Sequence, residues 1–211
     1  MKVLVTGFEP FGGEAVNPAW EAVKLLPGEI EGAAILRQEV PVSFRQSVEQ
    51  VTGIIQRERP DLVLCVGQAG GRASLTVERV AINLMDAPIP DNDGDMPRDV
   101  PVVQDGPDGL FATIPVKAAV AAARQAGVAA DLSCSAGTYV CNCLMYGVLH
   151  ALREHPGARG GFVHVPFIPS QTADKPGRPS MALEDIAKGL AAMLSALIGG
   201  ETSAAGEGTI F

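Results

Sequence analysis

Short runs of β-branched and apolar residues alternate with longer stretches of helical period along nearly the whole chain, and this alternation restricts the fold more than any other feature. It argues for βαβ units closing a largely parallel sheet with helices on both faces, a three-layer α/β/α sandwich. Residues 2–6 (KVLVT) read as a buried strand. Asn17 then caps a helix with Pro18 at its first position, and Pro27-Gly28 stops it. A strand near 34–42, a helix opened by Ser43 and ended by Pro60, and the apolar strand 61–66 (DLVLCV) follow. Residues 75–84 are extended, and an Ala-rich helix runs from Pro115 to about Gly127. A strand at 129–133 leads through Gly137 into a helix reaching about Arg153. Gly160-Gly161 precede a strand at 162–167, and 181–197 form the last helix.

With 211 residues and no internal repeat or linker, the expectation is one domain over 1–198 with a loose tail at 199–211. Aromatics make up only 5% of the chain, so the core has to be aliphatic, and Phe8 and Phe11 stand out by falling together in the first loop. Between Met85 and Gly109 five prolines and seven aspartates make a polar stretch too long for a simple connection, which reads as a flap or an interaction loop.

A formal charge of −8 without a Lys/Arg cluster disfavours nucleic acid and anionic membrane surfaces as partners. The apolar stretches 137–152 and 190–199 are interrupted or fall short of the ~20 residues a membrane span needs. The first eight residues are too short for a secretory apolar region and lack its cleavage site, which disfavours export. Four cysteines, Cys65, Cys134, Cys141 and Cys143, form no C-x-x-C pair, a poor basis for a disulfide framework or a zinc site. The loops at Gly12-Gly13 and 67–71 each follow a strand but match neither dinucleotide nor Walker patterns, and tight turning accounts for them equally well.

Among the cysteines, Cys65 reads as an inert core residue and Cys134, at a strand end, as either core or reactive. Cys141 falls in the first turn of a helix, where unpaired N–H groups and the helix dipole favour a thiolate and a lowered pKa. Cys143 lies about 200° further round that helix and reads as packed. A nucleophilic thiol needs a base. His150 is about half a turn and 13 Å away from Cys141, and His155 sits at a helix end. That leaves His164, in an apolar strand, against the alternative of a satisfied core histidine. A carboxylate fixing the imidazole would complete the set, and Glu78 is placed for it; an ion pair with Arg72 or Arg79 is the competing explanation of its charge.

The motifs VTGFEPFGG and NPAW (residues 5–20), VGQAGGR (66–72), VERVAIN (77–83), IPDNDG (89–94), SAGTYVCN (135–142) and GGFVHVPFIP (160–169) run in an order and spacing that resembles the pyroglutamyl peptidase I family of cysteine peptidases. The resemblance covers about residues 1–197. It implies Cys141 as nucleophile, His164 as its base and Glu78 as third member. It also implies a pocket for an N-terminal pyroglutamyl ring formed by Phe8, Phe11, Tyr139, Val140 and the backbone at Gln68. The substrates so implied are N-terminal pyroglutamyl peptides, cleaved through a thioester. A cytoplasmic homo-oligomer, frequently a tetramer, needing no metal or organic cofactor, is implied too. One departure stands out, Ala87-Pro88 where many members carry Arg before Ile-Pro-Asp-Asn. A nucleoside phosphorylase using the glycine loops, or a silent binder of pyroglutamyl ends, are the competing readings.

Overall fold

The computed structural model describes residues 1–204, 206 and 207, with elements β1 (Lys2–Phe8), α1 (Pro18–Leu25), β2 (Glu29–Ile30), β3 (Ala33–Val40), α2 (Gln46–Glu58), β4 (Leu62–Gln68), β5 (Leu75–Glu78), β6 (Val80–Ile82) and β7 (Gly109–Phe111). There follow α3 (Val116–Gln125), β8 (Ala130–Ser133), α4 (Val140–Leu152), β9 (Arg159–Val165), α5 (Pro169–Thr172) and α6 (Leu183–Gly199).

Seven strands form one sheet in the order β2-β3-β1-β4-β9-β5-β8, while β6 and β7 pair separately. The pairings β1–β3, β1–β4, β4–β9 and β5–β8 are parallel, whereas β2–β3 and β5–β9 are antiparallel. Alternate residues of each strand feed opposite faces. Val3, Val5, Leu62, Leu64 and Val66 join Ala19, Val23, Ala119, Leu190 and Leu194 of α1, α3 and α6 in one core. Leu4, Val63, Cys65 and Phe162 join Val51, Ile55, Leu144, Val148 and Leu149 of α2 and α4 in the other. The three-layer α/β/α sandwich with a mostly parallel sheet is thus the observed architecture. Among the described residues no helix is long and apolar enough to cross a membrane.

Some boundaries differ from the sequence reading. β1 continues to Phe8, which is buried at the strand's end instead of lying in a loop. The extended stretch 75–84 breaks at Arg79, whose N–H donates to Ser133 O (2.8 Å) while its carbonyl accepts from Ala112 N (2.9 Å), so the chain leaves the main sheet and pairs with β7. Gly160 and Gly161 lie inside β9, where a Cβ would meet Leu152 Cδ1 at 2.6 Å and Ile114 Cδ1 at 2.2 Å. The helix after Ser43 starts only at Gln46, whose N–H donates to Ser43 Oγ. α5 had no periodic signal in four residues. The last helix runs through Gly199, into the stretch read as tail; the remainder of that tail reading falls partly on 205 and 208–211, outside the described residues. Within the described part, the Glu207 carboxylate meets Arg124 Nη1 at 2.9 Å.

The proline- and aspartate-rich stretch is tied down at several points. Met85 bridges Val100. The buried Asp91 accepts from Phe44 N (2.9 Å), Asp93 N (2.9 Å) and Asp95 N (2.8 Å), and Asn92 Nδ2 donates to Glu9 Oε1 (2.8 Å) and Pro10 O (3.0 Å). Residues 90–95 are thereby pinned to the loop that follows β1.

Candidate active site

β1, β4 and β9 run parallel and side by side, so their carboxyl ends, at Phe8, Gln68 and Val165, open onto one edge of the sandwich, where α/β sheets commonly bind ligands. His164 is the penultimate residue of β9, and its side chain shares a sheet face with Phe162, the two rings lying 4.8 Å apart. β5 runs antiparallel to β9 with Glu78 opposite Phe162 and Thr76 opposite His164. Glu78 is thus the diagonal neighbour of His164 on the same face, a distance a long side chain spans. Its Oε1 lies 2.7 Å from His164 Nδ1. The same oxygen accepts from Arg72 Nη1 at 2.7 Å, so the buried carboxylate is shared between the imidazole and the guanidinium.

Cys141 is the second residue of α4, a helix that starts without a side-chain cap. Its sulfur sits over Gly67 of β4: a Cβ at that position would meet Cys141 Sγ at 2.9 Å and Phe162 Cζ at 2.8 Å. Gly67 is in register with His164, which sets thiol and imidazole on neighbouring parts of one sheet face. Asn142, buried beside the cysteine, fixes the helix start. It accepts from Ile82 N (3.0 Å) and donates to the carbonyls of Ile82 (2.9 Å) and Leu84 (3.0 Å).

The thiol and the imidazole border a cavity of about 150 Å³ whose other walls are Phe8, Phe11, Asn17, Val42, Gln68, Ala136, Tyr139 and Val140. All five residues expected at a ring pocket are there. Sequence reasoning missed Asn17, Val42 and Ala136. Asn17 was legible only as a helix cap, and it is one: Oδ1 accepts from Ala19 N and Nδ2 donates to Glu9 O. Tyr139 is braced edge-on by Phe44, with ring centroids 5.3 Å apart, and its hydroxyl donates to Pro90 O at 2.9 Å. Pro88 and Ile89 are exposed. Glu78 lies behind His164, away from the cavity walls.

The electrostatics correct one expectation. The Cys141 thiol is pushed up to about 12, because burial and then the Glu78 charge outweigh the pull of Arg72. A helix start was expected to yield a thiolate, but burial beside a carboxylate opposes one. Burial likewise holds His164 below the usual imidazole range against the opposing effect of Glu78. For Glu78 burial acts upward and is outweighed by hydrogen bonds and charge from His164 and by Arg72, so it stays a carboxylate. Burial thus acts against the charged forms of both the thiol and the imidazole, while Glu78 is held as an anion. Of the other cysteines, Cys65 and Cys143 are buried, their thiols also raised to about 12, and Cys134 is exposed. His150 stacks on Tyr146, 6.2 Å between centroids, away from the cavity.

Chemically this arrangement suits acyl transfer through sulfur, which puts the chain among the α/β enzymes of the cysteine hydrolase class. The profile of the pyroglutamyl peptidase family matches residues 1–199, and the chain belongs to that family and is a peptidase of its type. It is 54% identical over 199 residues to a pyrrolidone-carboxylate peptidase of Enterococcus faecalis, covering 94% of this chain and 93% of the relative. To that of Thermococcus kodakarensis it is 58% identical over 192 residues, covering 90% and 92%. The crystal structure of pyroglutamyl peptidase I from Bacillus amyloliquefaciens superposes with a TM-score of 0.92 at 46% identity, over 97% of this chain and 99% of that one.

Proposed function

We propose that the chain removes N-terminal pyroglutamyl residues from peptides, with Cys141 as nucleophile, His164 as general base and acid, and Glu78 as the group that orients the imidazole. The observation that carries this reading is the cavity beside Cys141: it is small, mostly apolar, and none of its ten lining residues is Asp, Glu, Lys or Arg. Pockets for drug-sized molecules run to about 300–1,000 Å³, so a space of about 150 Å³ suits a single small ring. A lactam is flat and uncharged, and its one N–H and one carbonyl need only a few polar partners. An ordinary N-terminal ammonium would be stripped of water there with no anion to meet it, which gives rejection as well as recognition.

With Nδ1–H donated to Glu78, the Nε2 lone pair of His164 is left to take the thiol proton as sulfur attacks the carbonyl carbon that joins pyroglutamate to the next residue. N–H groups of the uncapped α4 start take the developing oxyanion. As the C–N bond breaks, the imidazolium gives its proton to the leaving amine, and a thioester remains. Water, deprotonated by the same imidazole, attacks it; pyroglutamate leaves and the proton returns to sulfur. With the thiol raised and the imidazole lowered, the proton moves with the attack, and Glu78 stabilises the imidazolium that forms. The family resemblance supports a homo-oligomer, a tetramer, working in the cytoplasm without metal or organic cofactor.

Hydrolysis of a pyroglutamyl-aminomethylcoumarin tests this reading. The reduced protein should release the coumarin, thiol alkylation should stop it, and Cys141→Ser should abolish it; absence of turnover by folded, reduced protein would overturn the assignment.

A further inference from the structure

Arg72 lies in the loop between β4 and β5, outside the cavity lining, yet its guanidinium reaches three parts of the site. Nη1 donates to Glu78 Oε1 at 2.7 Å and to Thr76 Oγ1, and Nη2 donates to Ser135 O at 3.3 Å. Thr76 and Glu78 are two apart on one strand face, and Thr76 stands opposite His164 in register. Ser135 belongs to the turn that leads into α4 and hence to Cys141. Glu78 is fully buried, and among the described residues its Oε2 makes no close hydrogen bond, so the two short contacts to its carboxylate, from His164 and Arg72, both fall on Oε1.

We propose that Arg72 is a positioning residue of this site: its planar fork spans from the strand carrying Glu78 to the turn preceding Cys141 and holds the carboxylate in line with His164. This rests on the peptidase reading above. A guanidinium is suited to it because its donors have fixed directions, whereas an ammonium at the same place supplies charge without that geometry. The charged and titratable groups that bear on the thiol and imidazole are Glu78 from β5, Arg72 from its loop, the thiol of Cys65 on β4, and Tyr139 ahead of α4; Arg178 approaches the Arg72 loop at Gly71. The Arg72 charge draws down both the thiol and the imidazole.

The test compares R72K and R72M with wild type in two readouts. One is kcat/KM for a pyroglutamyl-coumarin amide from about pH 5 to 9. The other is the rate of Cys141 alkylation by iodoacetamide, followed by peptide mass spectrometry with the exposed Cys134 as internal reference. In R72M, kcat/KM should fall at least about 10-fold, mostly in kcat. Its acid limb should move to higher pH, and Cys141 should alkylate more slowly. R72K should restore the limb more fully than it restores kcat. A residue that only supports the fold would lower the melting temperature and leave limb and alkylation rate in place. Folded R72M with both readouts unchanged overturns the proposal, and if R72M does not fold, R72K with unchanged kcat and alkylation does so. Alkylation needs no turnover, so an inactive wild type would sink the peptidase reading while the coupling to Cys141 was still read.

Discussion

Glu78 Oε1 and His164 Nδ1 lie 2.7 Å apart although the two residues are 86 positions apart in the chain. An antiparallel pairing inside an otherwise mostly parallel sheet accounts for this, since it sets Glu78 opposite Phe162 and one diagonal step from His164. The bond fixes which imidazole nitrogen faces the cavity.

Replacing the carboxylate by its amide separates that role from packing. E78Q keeps the shape but loses the charge and can present its N–H to Nδ1, which selects the wrong tautomer. Its kcat/KM should drop by about 10²–10⁴-fold with the circular dichroism spectrum unchanged; activity within a few-fold of wild type would remove Glu78 from the mechanism.

Gly67 should tolerate no side chain. The added methyl of G67A would sit 2.9 Å from Cys141 Sγ and 2.8 Å from the Phe162 ring, so the thiol has to move. Activity should fall by about 10²-fold for a displacement of an ångström or less, and stability by roughly 1–3 kcal/mol from overpacking. Steady-state kinetics and urea unfolding on the same sample measure both.

Folding stability should peak between about pH 6.5 and 9. Glu78 titrates below its ordinary 4.5 in the fold, so its contribution is present above that value and lost as pH falls through the lower folded one. His164 is depressed from 6.5, so the unfolded chain takes up its proton first and acidification below 6.5 weakens the fold. Cys65, Cys141 and Cys143 are raised from 9.0 to about 12, so above pH 9 the unfolded chain releases protons that the fold retains. Melting temperatures across this range check the window, and a protein still gaining stability at pH 10 would contradict it.

The Tyr139 hydroxyl ties the cavity wall to Pro90. Y139F should raise KM up to about 5-fold, the worth of one ordinary hydrogen bond at about 1 kcal/mol, and leave kcat nearly constant. Limited proteolysis should cut Y139F near residues 88–96 faster than wild type.

Asn142 satisfies three backbone groups of residues 82–84 from a fully buried position. N142A leaves those groups unpaired and should cost about 2–4 kcal/mol, read as a lower urea midpoint, with a loss of turnover because α4 carries Cys141.

The alternation of apolar runs was enough to read the layers, and Pro18, Pro60 and Pro115 marked helix ends because proline acts locally. Cys141 could be singled out by its place at a helix start, and His164 by elimination. The break at Arg79 was hidden, because leaving the sheet there depends on acceptors at Ser133 and donors at Ala112 that local pattern does not reveal. Gly160 and Gly161 read as preceding a strand, yet they lie inside it, where Leu152 and Ile114 leave no room for a Cβ, a packing constraint that local pattern does not show.

By itself, then, the sequence determined the elements and their layering through periodicity, and singled out a thiol, an imidazole and a carboxylate by local chemistry, while the walls of a small ring pocket were implied only by the family resemblance. Tertiary structure alone decided three things: that β5 runs antiparallel to β9 and so delivers Glu78 to His164, that Gly67 opens room for the Cys141 sulfur, and that burial and the Glu78 charge push the Cys141 thiol up. Register and burial are the physical reasons, since both depend on what lies across the sheet and how far water is excluded, and neither is a property of any short stretch of chain.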